Sequence, residues 1–396
     1  MLRTVPMPRL PAGGCTAGAG TVSGPGTVSG ALVALTLLWS LTVHWSDQPP
    51  LRPDLTTAHP RTDRVVSPRT PEPEDAHMPD ENLPRRADLN GHTLVVGESL
   101  IDLVRRPDGS IQEHVGGSPA NVAVGLARLG HDITFATHVG NDERGARIAS
   151  HLQREGISLT EGSVGGQPTS VATSTLDATG AAAYTFALAW ELPELASFEG
   201  LTHVHTGSIA ATLEPGASAV LTTIQSARPG ATISYDPNAR PSLMGDPHEV
   251  RAKIEALIGL SDVVKASDED IAWLYDKAPI SDVLRLWAQL GPALIVVTRG
   301  SHGAVVGLSI TGELTSVDAP ATRVVDTVGA GDSFMAGLLS GLLDAGLLGG
   351  IQGRDRLRTA SLADVRPAVD RALACASITV SRAGANPPHL AELAAP

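Results

Sequence analysis

The nine residues Asp326-Thr327-Val328-Gly329-Ala330-Gly331-Asp332-Ser333-Phe334 bring small residues and a carboxylate to the head of an apolar helical run, Met335 to Leu343. A helix that begins within Gly329-Ala330-Gly331 leaves its first backbone N–H groups without intrahelical partners, and the macrodipole adds partial positive charge there. Such a turn binds anions. With no side chains at Gly329 and Gly331, a phosphate can approach the backbone closely, and Asp332 stands in the same turn as a proton acceptor. The combination suggests phosphoryl transfer to a hydroxyl. The structural alternative is an ordinary helix start in which Asp332 offsets the dipole.

A second patch precedes it by about 200 residues: Gly116-Gly117-Ser118-Pro119-Ala120-Asn121, then Val122-Ala123-Val124-Gly125-Leu126-Ala127-Arg128-Leu129-Gly130. Val122, Leu126 and Leu129 recur at helical spacing, so a Gly-Gly turn enters a helix that stops at Gly130, with the Asn121 amide in the first turn facing a cleft. The first string matches the pattern D-T-x-G-A-G-D-x-F, and the chain resembles the ribokinase-like (PfkB-type) carbohydrate kinases, closest in pattern to bacterial fructokinases. The second string resembles that family's sugar-binding signature. The resemblance implies that Gly329, Ala330 and Gly331 form an anion hole and that Asp332 is the general base. It also implies sugar binding by Asp102, Gly116, Gly117 and Asn121. Trp190, which follows a hairpin, is a candidate to stack on a sugar ring.

The same resemblance assigns further positions. Asp236-Pro237-Asn238-Ala239-Arg240 looks like a D-x-N-x-R element whose Arg240 faces the nucleotide phosphates or closes the cleft; the alternative is a turn with a solvated arginine. Ser267 and Asp270 stand where relatives carry N-x-x-E, which organises Mg²⁺ and phosphate; here the asparagine is missing, and a helix N-cap with acids in its first turn is the alternative. Thr298-Arg299-Gly300-Ser301-His302-Gly303 resembles a nucleotide-contacting T-x-G-x-x-G loop through Thr298, Gly300 and Gly303. Asp326, with the loop near Ser381 to Gly384, is placed at a monovalent cation site for K⁺. ATP and Mg²⁺ are the implied cofactors, and a homodimer paired through a lid is an implied assembly. Ribokinase, 2-keto-3-deoxygluconate kinase and nucleoside kinase remain rival activities, and a catalytically silent sugar-binding regulator is the non-enzyme alternative.

The elements that must position these groups alternate along the chain. Thr93 to Val96, Ile133 to Val139, His203 to Gly207, Thr232 to Asp236, Asp262 to Lys265 and Ala293 to Thr298 read as strands separated by helical patterns such as Glu143 to Glu155. That alternation predicts an α/β fold, ribokinase-like, with a mostly parallel central sheet covered on both faces, and ligands at the carboxyl ends of its strands. Two stretches break the rhythm, 103–115 and 169–188, the second around Ala178-Thr179-Gly180. They predict a small β lid, whose purpose would be to exclude water from the phosphoryl group.

Composition bounds the function. A formal net charge of −13 without a basic stripe argues against nucleic acid as a partner. The two cysteines, Cys15 and Cys375, lie far apart, so neither a disulfide framework nor a thiolate metal site is expected. The 13 histidines show no metal-binding spacing, and Mg²⁺ is expected to arrive with ATP. Residues 1–88 read as a disordered, low-complexity extension: the first 77 hold 11 of the 29 prolines and no lysine. Met78 is an alternative start, and the kinase domain is expected over 89–391. The apolar run Ala31 to Val43 has 13 residues, short of the roughly 20 of a membrane span, so a cytoplasmic enzyme is expected, with a membrane anchor or export signal as the alternative reading of that run.

Overall fold

Val95 and its neighbours show why the sheet forms as it does: Val95 is buried in one core, Leu94 and Val96 in another, so this strand is covered by helices on both faces. The computed structural model describes residues 91–177 and 182–393. The extension over 1–88, its Met78 start, the Ala31–Val43 run and the Ala178-Thr179-Gly180 turn lie outside the described residues.

In chain order the elements are β1 (His92–Val96), β2 (Leu100–Arg105), β3 (Ile111–Gly116), α1 (Ser118–Arg128), β4 (Ile133–Ala136), β5 (Val139–Gly140), α2 (Glu143–Arg154), β6 (Ser158–Leu159), β7 (Val164–Gly165), β8 (Val171–Leu176) and β9 (Ala182–Ala187). There follow β10 (Leu201–Gly207), α3 (Gly216–Ala227), β11 (Thr232–Asp236), α4 (Pro241–Met244), α5 (Pro247–Leu260), β12 (Val263–Ser267), α6 (Asp268–Leu274), α7 (Ile280–Ala288) and β13 (Leu294–Thr298). The last are β14 (Ala304–Leu308), β15 (Leu314–Val317), α8 (Ala330–Asp344), α9 (Gly350–Thr359), α10 (Leu362–Val380) and α11 (Leu390–Leu393). The main sheet runs β15-β14-β13-β12-β11-β10-β1-β4-β6, parallel from β6 to β13 and closed by an antiparallel edge, β14 and β15. This is the mostly parallel α/β arrangement expected; the antiparallel edge is an addition. A second sheet, β3-β2-β8-β9, holds the two stretches that break the alternation.

Two expected strands differ in detail. The run from Ile133 divides at Thr137-His138, because Val139 leaves the main sheet to bond the Ser163 carbonyl and pair with Val164. Asp262 precedes its strand rather than joining it; its carboxylate accepts from the Ile233 amide (2.8 Å) and holds Arg354 (2.7 Å) in a buried pair.

Helix α8 is buried almost all round, since it lies between the sheet, α1 and α10. Glycines at its contacts make that possible: a Cβ on its Gly341 would come within 2.5 Å of Ala368 Cα, and one on Gly125 of α1 within 2.5 Å of Ala336 Cβ. Thr379 Oγ1 donates to Ser333 Oγ (2.7 Å), fastening the first turn of α8 to α10. No helix among the described residues is long and apolar enough to cross a membrane.

Candidate active site

Gly329 stands at the N-cap of α8 with φ of 74°, a left-handed conformation that a β-carbon disfavours, and an added Cβ would meet Ala385 Cβ at 2.6 Å. The turn is thus closed against the 384–387 loop. Of the three amides assigned to an anion, that of Ala330 already closes a turn on the Thr327 carbonyl at 3.2 Å. Asp332, in the first helical turn, is only 8% exposed. Its Oδ1 accepts from Ser118 Oγ (2.7 Å) and its Oδ2 from Asn121 Nδ2 (2.8 Å). The two motif strings are therefore joined directly, and Asn121, expected to bind sugar, spends an amide hydrogen on the carboxylate. Ser118 was not singled out in the sequence, although it lies inside the quoted string.

Helix α1 reaches Asp332 because Gly117 turns sharply ahead of it, with φ of 107° and the Glu98 carbonyl only 2.5 Å from an added Cβ. Gly116 packs just as closely on Asp102, whose Oδ2 would lie 2.0 Å from a Cβ there. Asp102 lies on β2 opposite His114 of β3. Burial pushes its carboxyl up to about 6, opposed by the charges of His114 and Arg240 and reinforced by that of Asp332. Glu98, in the loop after β1, is fully buried and accepts from the Ala210 amide (3.1 Å); burial raises its carboxyl to about 7. Sequence reasoning passed over it, though a glutamate after a buried strand was a signal.

Trp190 is a correction. It is 4% exposed, sits in the core with Val220 and Ile224, and donates its Nε1 hydrogen to the Ala210 carbonyl (3.0 Å) over Gly216. An indole packed in this way has no face left for a sugar ring.

The remaining candidates lie at the carboxyl ends of β11, β12 and β13. Ser267 and Asp270 form a reciprocal capping box, with Ser267 Oγ accepting from the Asp270 amide (3.0 Å) and Asp270 Oδ2 accepting from the Ser267 amide (2.7 Å). Asp270 Oδ1 also accepts from the Ala239 amide (2.7 Å), pinning the loop after β11. These two residues thus form the helix cap that was the alternative to their expected cofactor role. Arg240 is exposed and folds back on Asn238 Oδ1 (2.8 Å), with its charge reaching Asp102 and Glu98. Thr298, Gly300 and Gly303 form the open turn joining β13 to β14, closed by Arg299 N–H to the Gly303 carbonyl (2.7 Å). Asp326 accepts from the amides of Val328 (3.0 Å) and Gly384 (2.8 Å), so it brings together the two loops assigned to a cation.

Lys265 is the unforeseen member. It lies on β12, 3% exposed, with Nζ 2.9 Å from Asp236 Oδ2, and an added Cβ on Gly331 would meet Nζ at 3.0 Å. Its signal was available: a charge in the apolar run Val263 to Ala266. No group of three or more His, Cys, Asp or Glu among the described residues could hold a metal ion.

The model of the pfkB family of carbohydrate kinases matches residues 91–392 of this chain. A fructokinase of Klebsiella pneumoniae is 34% identical over 268 residues, spanning 65% of this chain and 87% of that protein. One from Escherichia coli is 32% identical over 306 residues, spanning 75% and 95%. Among solved structures, a double mutant of the Vibrio cholerae O395 fructokinase, in its fructose, ADP and potassium ion bound form, superposes with a TM-score of 0.64 at 27% identity, covering 77% of this chain and 97% of its own.

Proposed function

The chain belongs to the pfkB family of carbohydrate kinases, and from that premise we propose that it transfers the γ-phosphoryl group of ATP to fructose. The observation that carries the reading is the buried Asp332 carboxylate, held on both oxygens by Ser118 and Asn121 at the amino terminus of α8, beside the glycine turn. Each carboxylate oxygen retains a lone pair, and one of them takes the proton of the attacking primary hydroxyl. The Gly329 to Gly331 turn, with the helix dipole behind it, holds the charge that moves onto the transferred group. Asp102 accepts hydroxyl hydrogens of the sugar, and Gly116 and Gly117 bind it indirectly, by letting the turn pack closely on Asp102 and on the Glu98 carbonyl. Arg240 and the Thr298 to Gly303 turn lie on the side where the nucleotide enters.

Fructose is favoured by the relatives of 32–34% identity, which are fructokinases. Mg²⁺, carried by the nucleotide phosphates, would lower their charge when bound. The Asp326 carboxylate, tied to the 381–384 loop by the Gly384 amide (2.8 Å), would be the anionic ligand of a monovalent cation such as K⁺. We place the kinase domain over 89–391, read the four-stranded sheet as the lid, and take the working enzyme to be cytoplasmic, where ATP is made. Exposed Tyr184 and Phe186, stacked on β9 with ring centroids 6.3 Å apart, are the surface through which a second copy would pair.

The test is ADP production across fructose, ribose, 2-keto-3-deoxygluconate and a nucleoside at equal concentrations. Fructose should give the highest kcat/KM. A higher value for another acceptor replaces fructose, and no turnover with any of them leaves a sugar-binding regulator.

A further inference from the structure

Lys265 stands where stability alone would not put it. Residues alternate along β12, so Val264 and Ala266 enter the core on one face while Val263 joins the core beneath α8 on the other. Lys265 shares the Val263 face and extends toward the first turn of α8. The parallel pairing that sets Ser234 beside Val263 and Tyr235 beside Val264 brings Asp236 alongside it. The resulting ion pair is buried, with 3% and 0% side-chain exposure. A buried pair of this kind is commonly no more stable than apolar residues of similar volume.

The pair is also incompletely satisfied. An ammonium carries three donors, and the hydrogen bond seen from Nζ goes to Asp236 Oδ2. Asp236 Oδ1 is buried with no hydrogen-bond partner. Burial is the largest influence on the ammonium and would discharge it, yet Asp236, Asp270 and Asp332 together outweigh it and hold the pKa above the ordinary lysine value. A permanent positive charge with unspent donors therefore lies against Gly331, the residue whose missing side chain leaves room for it.

We propose that Lys265 is a further catalytic residue, its ammonium donating hydrogen bonds to the phosphoryl oxygens as they pass from nucleotide to sugar. The inference rests on the reading of Gly329 to Gly331 as the phosphate turn and of Asp332 as the base. In the step, the sugar oxygen forms the new P–O bond, its proton passes to Asp332, and the bond to the ADP oxygen breaks with its electron pair leaving on ADP. Lys265 keeps its proton throughout. Its charge is already in place before transfer begins, so none of its stabilisation is spent on reorganisation.

The experiment compares the full-length parent with Lys265→Met and with Lys265→Met/Asp236→Asn, which removes both charges and leaves no buried ion without a partner. Turnover per folded molecule should fall about 10²–10³-fold in both, as for loss of one preorganised donor to a developing anion. The sugar KM and the ADP Kd should stay within about threefold of the parent, because the contact strengthens only during transfer. Aluminium fluoride, which mimics the group in flight, should bind the parent with ADP and sugar and fail to bind the variants. A double variant that folds and keeps turnover within about threefold overturns the proposal. So does failure of both variants to fold, which would make the lysine a structural counter-ion. Asp332→Asn, assayed in parallel, separates the two readings: if it retains turnover, the reading of the turn itself has failed.

Discussion

Ser118→Ala removes one hydroxyl, 2.7 Å from Asp332 Oδ1, and leaves the helix start otherwise intact, since Pro119 follows it in the first turn. A hydrogen bond to a charged group contributes about 1.5–3 kcal/mol. Taken wholly from the transition state, that is a loss of roughly 10- to 150-fold in kcat. Asn121 still grips Oδ2 at 2.8 Å, so the carboxylate is loosened rather than freed. The lower part of the range, about 10- to 30-fold, is therefore expected. Sugar KM and ADP affinity should hold, because the hydroxyl orients the base and is not placed against either ligand. Steady-state kinetics of Ser118→Ala, Asp332→Asn and the double variant make the test sharp. If Ser118 acts through Asp332, its removal should cost less than about twofold once the carboxylate is gone. Losses that add in full across the two positions, or a single variant that keeps parental kcat, would refute the reasoning.

Two pH predictions follow from burial. Asp102, with its carboxyl pushed up to about 6, should accept sugar hydroxyls only when ionised, so kcat/KM for the sugar should fall as pH drops through about 6. Asp102→Asn should lower kcat/KM at neutral pH and abolish that limb; a limb unchanged in the variant rules Asp102 out as its source. For Glu98 the folded state raises the carboxyl from 4.5 to about 7, so its contribution is complete below 4.5 and is lost as pH climbs to about 7. That loss is on the order of 3 kcal/mol over the window. Glu98→Gln, which mimics the protonated form, should flatten the dependence and raise Tm at pH 8 relative to the parent. Parallel Tm curves for the two proteins would count against it.

What could be read from the sequence was local. Gly329-Ala330-Gly331 ahead of an apolar run signals a helix start wherever it occurs, and the apolar runs around Val95 and Val296 signal buried parallel strands. What could not be read depends on partners remote in the chain. Ser118 and Asp332 lie 214 positions apart, and nothing near Ser118 distinguishes a hydroxyl that holds a carboxylate from one that caps a helix. Lys265 was visible as a charge among apolar residues, yet its partner was set by the register of β11 on β12. Trp190 failed for the complementary reason: an aromatic after a hairpin fits a sugar platform or a core equally well, and only the packing against Gly216 and Ala210 decides. Ser267 and Asp270 carried both readings in their spacing, and the bond from the Ala239 amide, supplied by another loop, could not be read from that spacing.

The distribution of charge at the strand ends ties these pieces together. Glu98, Asp102, Asp236, Asp270 and Asp332 set five carboxylates near one edge of the sheet, opposed by buried Lys265 and exposed Arg240. An anionic nucleotide would be repelled from most of that edge. At the head of α8 the helix dipole and Lys265 Nζ both act beside Gly331. The Asp102 carboxylate suits a neutral ligand that donates hydrogen bonds, as a sugar does. Asp332 stands at the boundary between the two regions. On this reading its position requires the acceptor hydroxyl to meet the phosphoryl group beside Asp332. A base placed deeper on the sugar side would be out of reach of the transfer, and one placed deeper on the phosphate side would repel the group it must help to move.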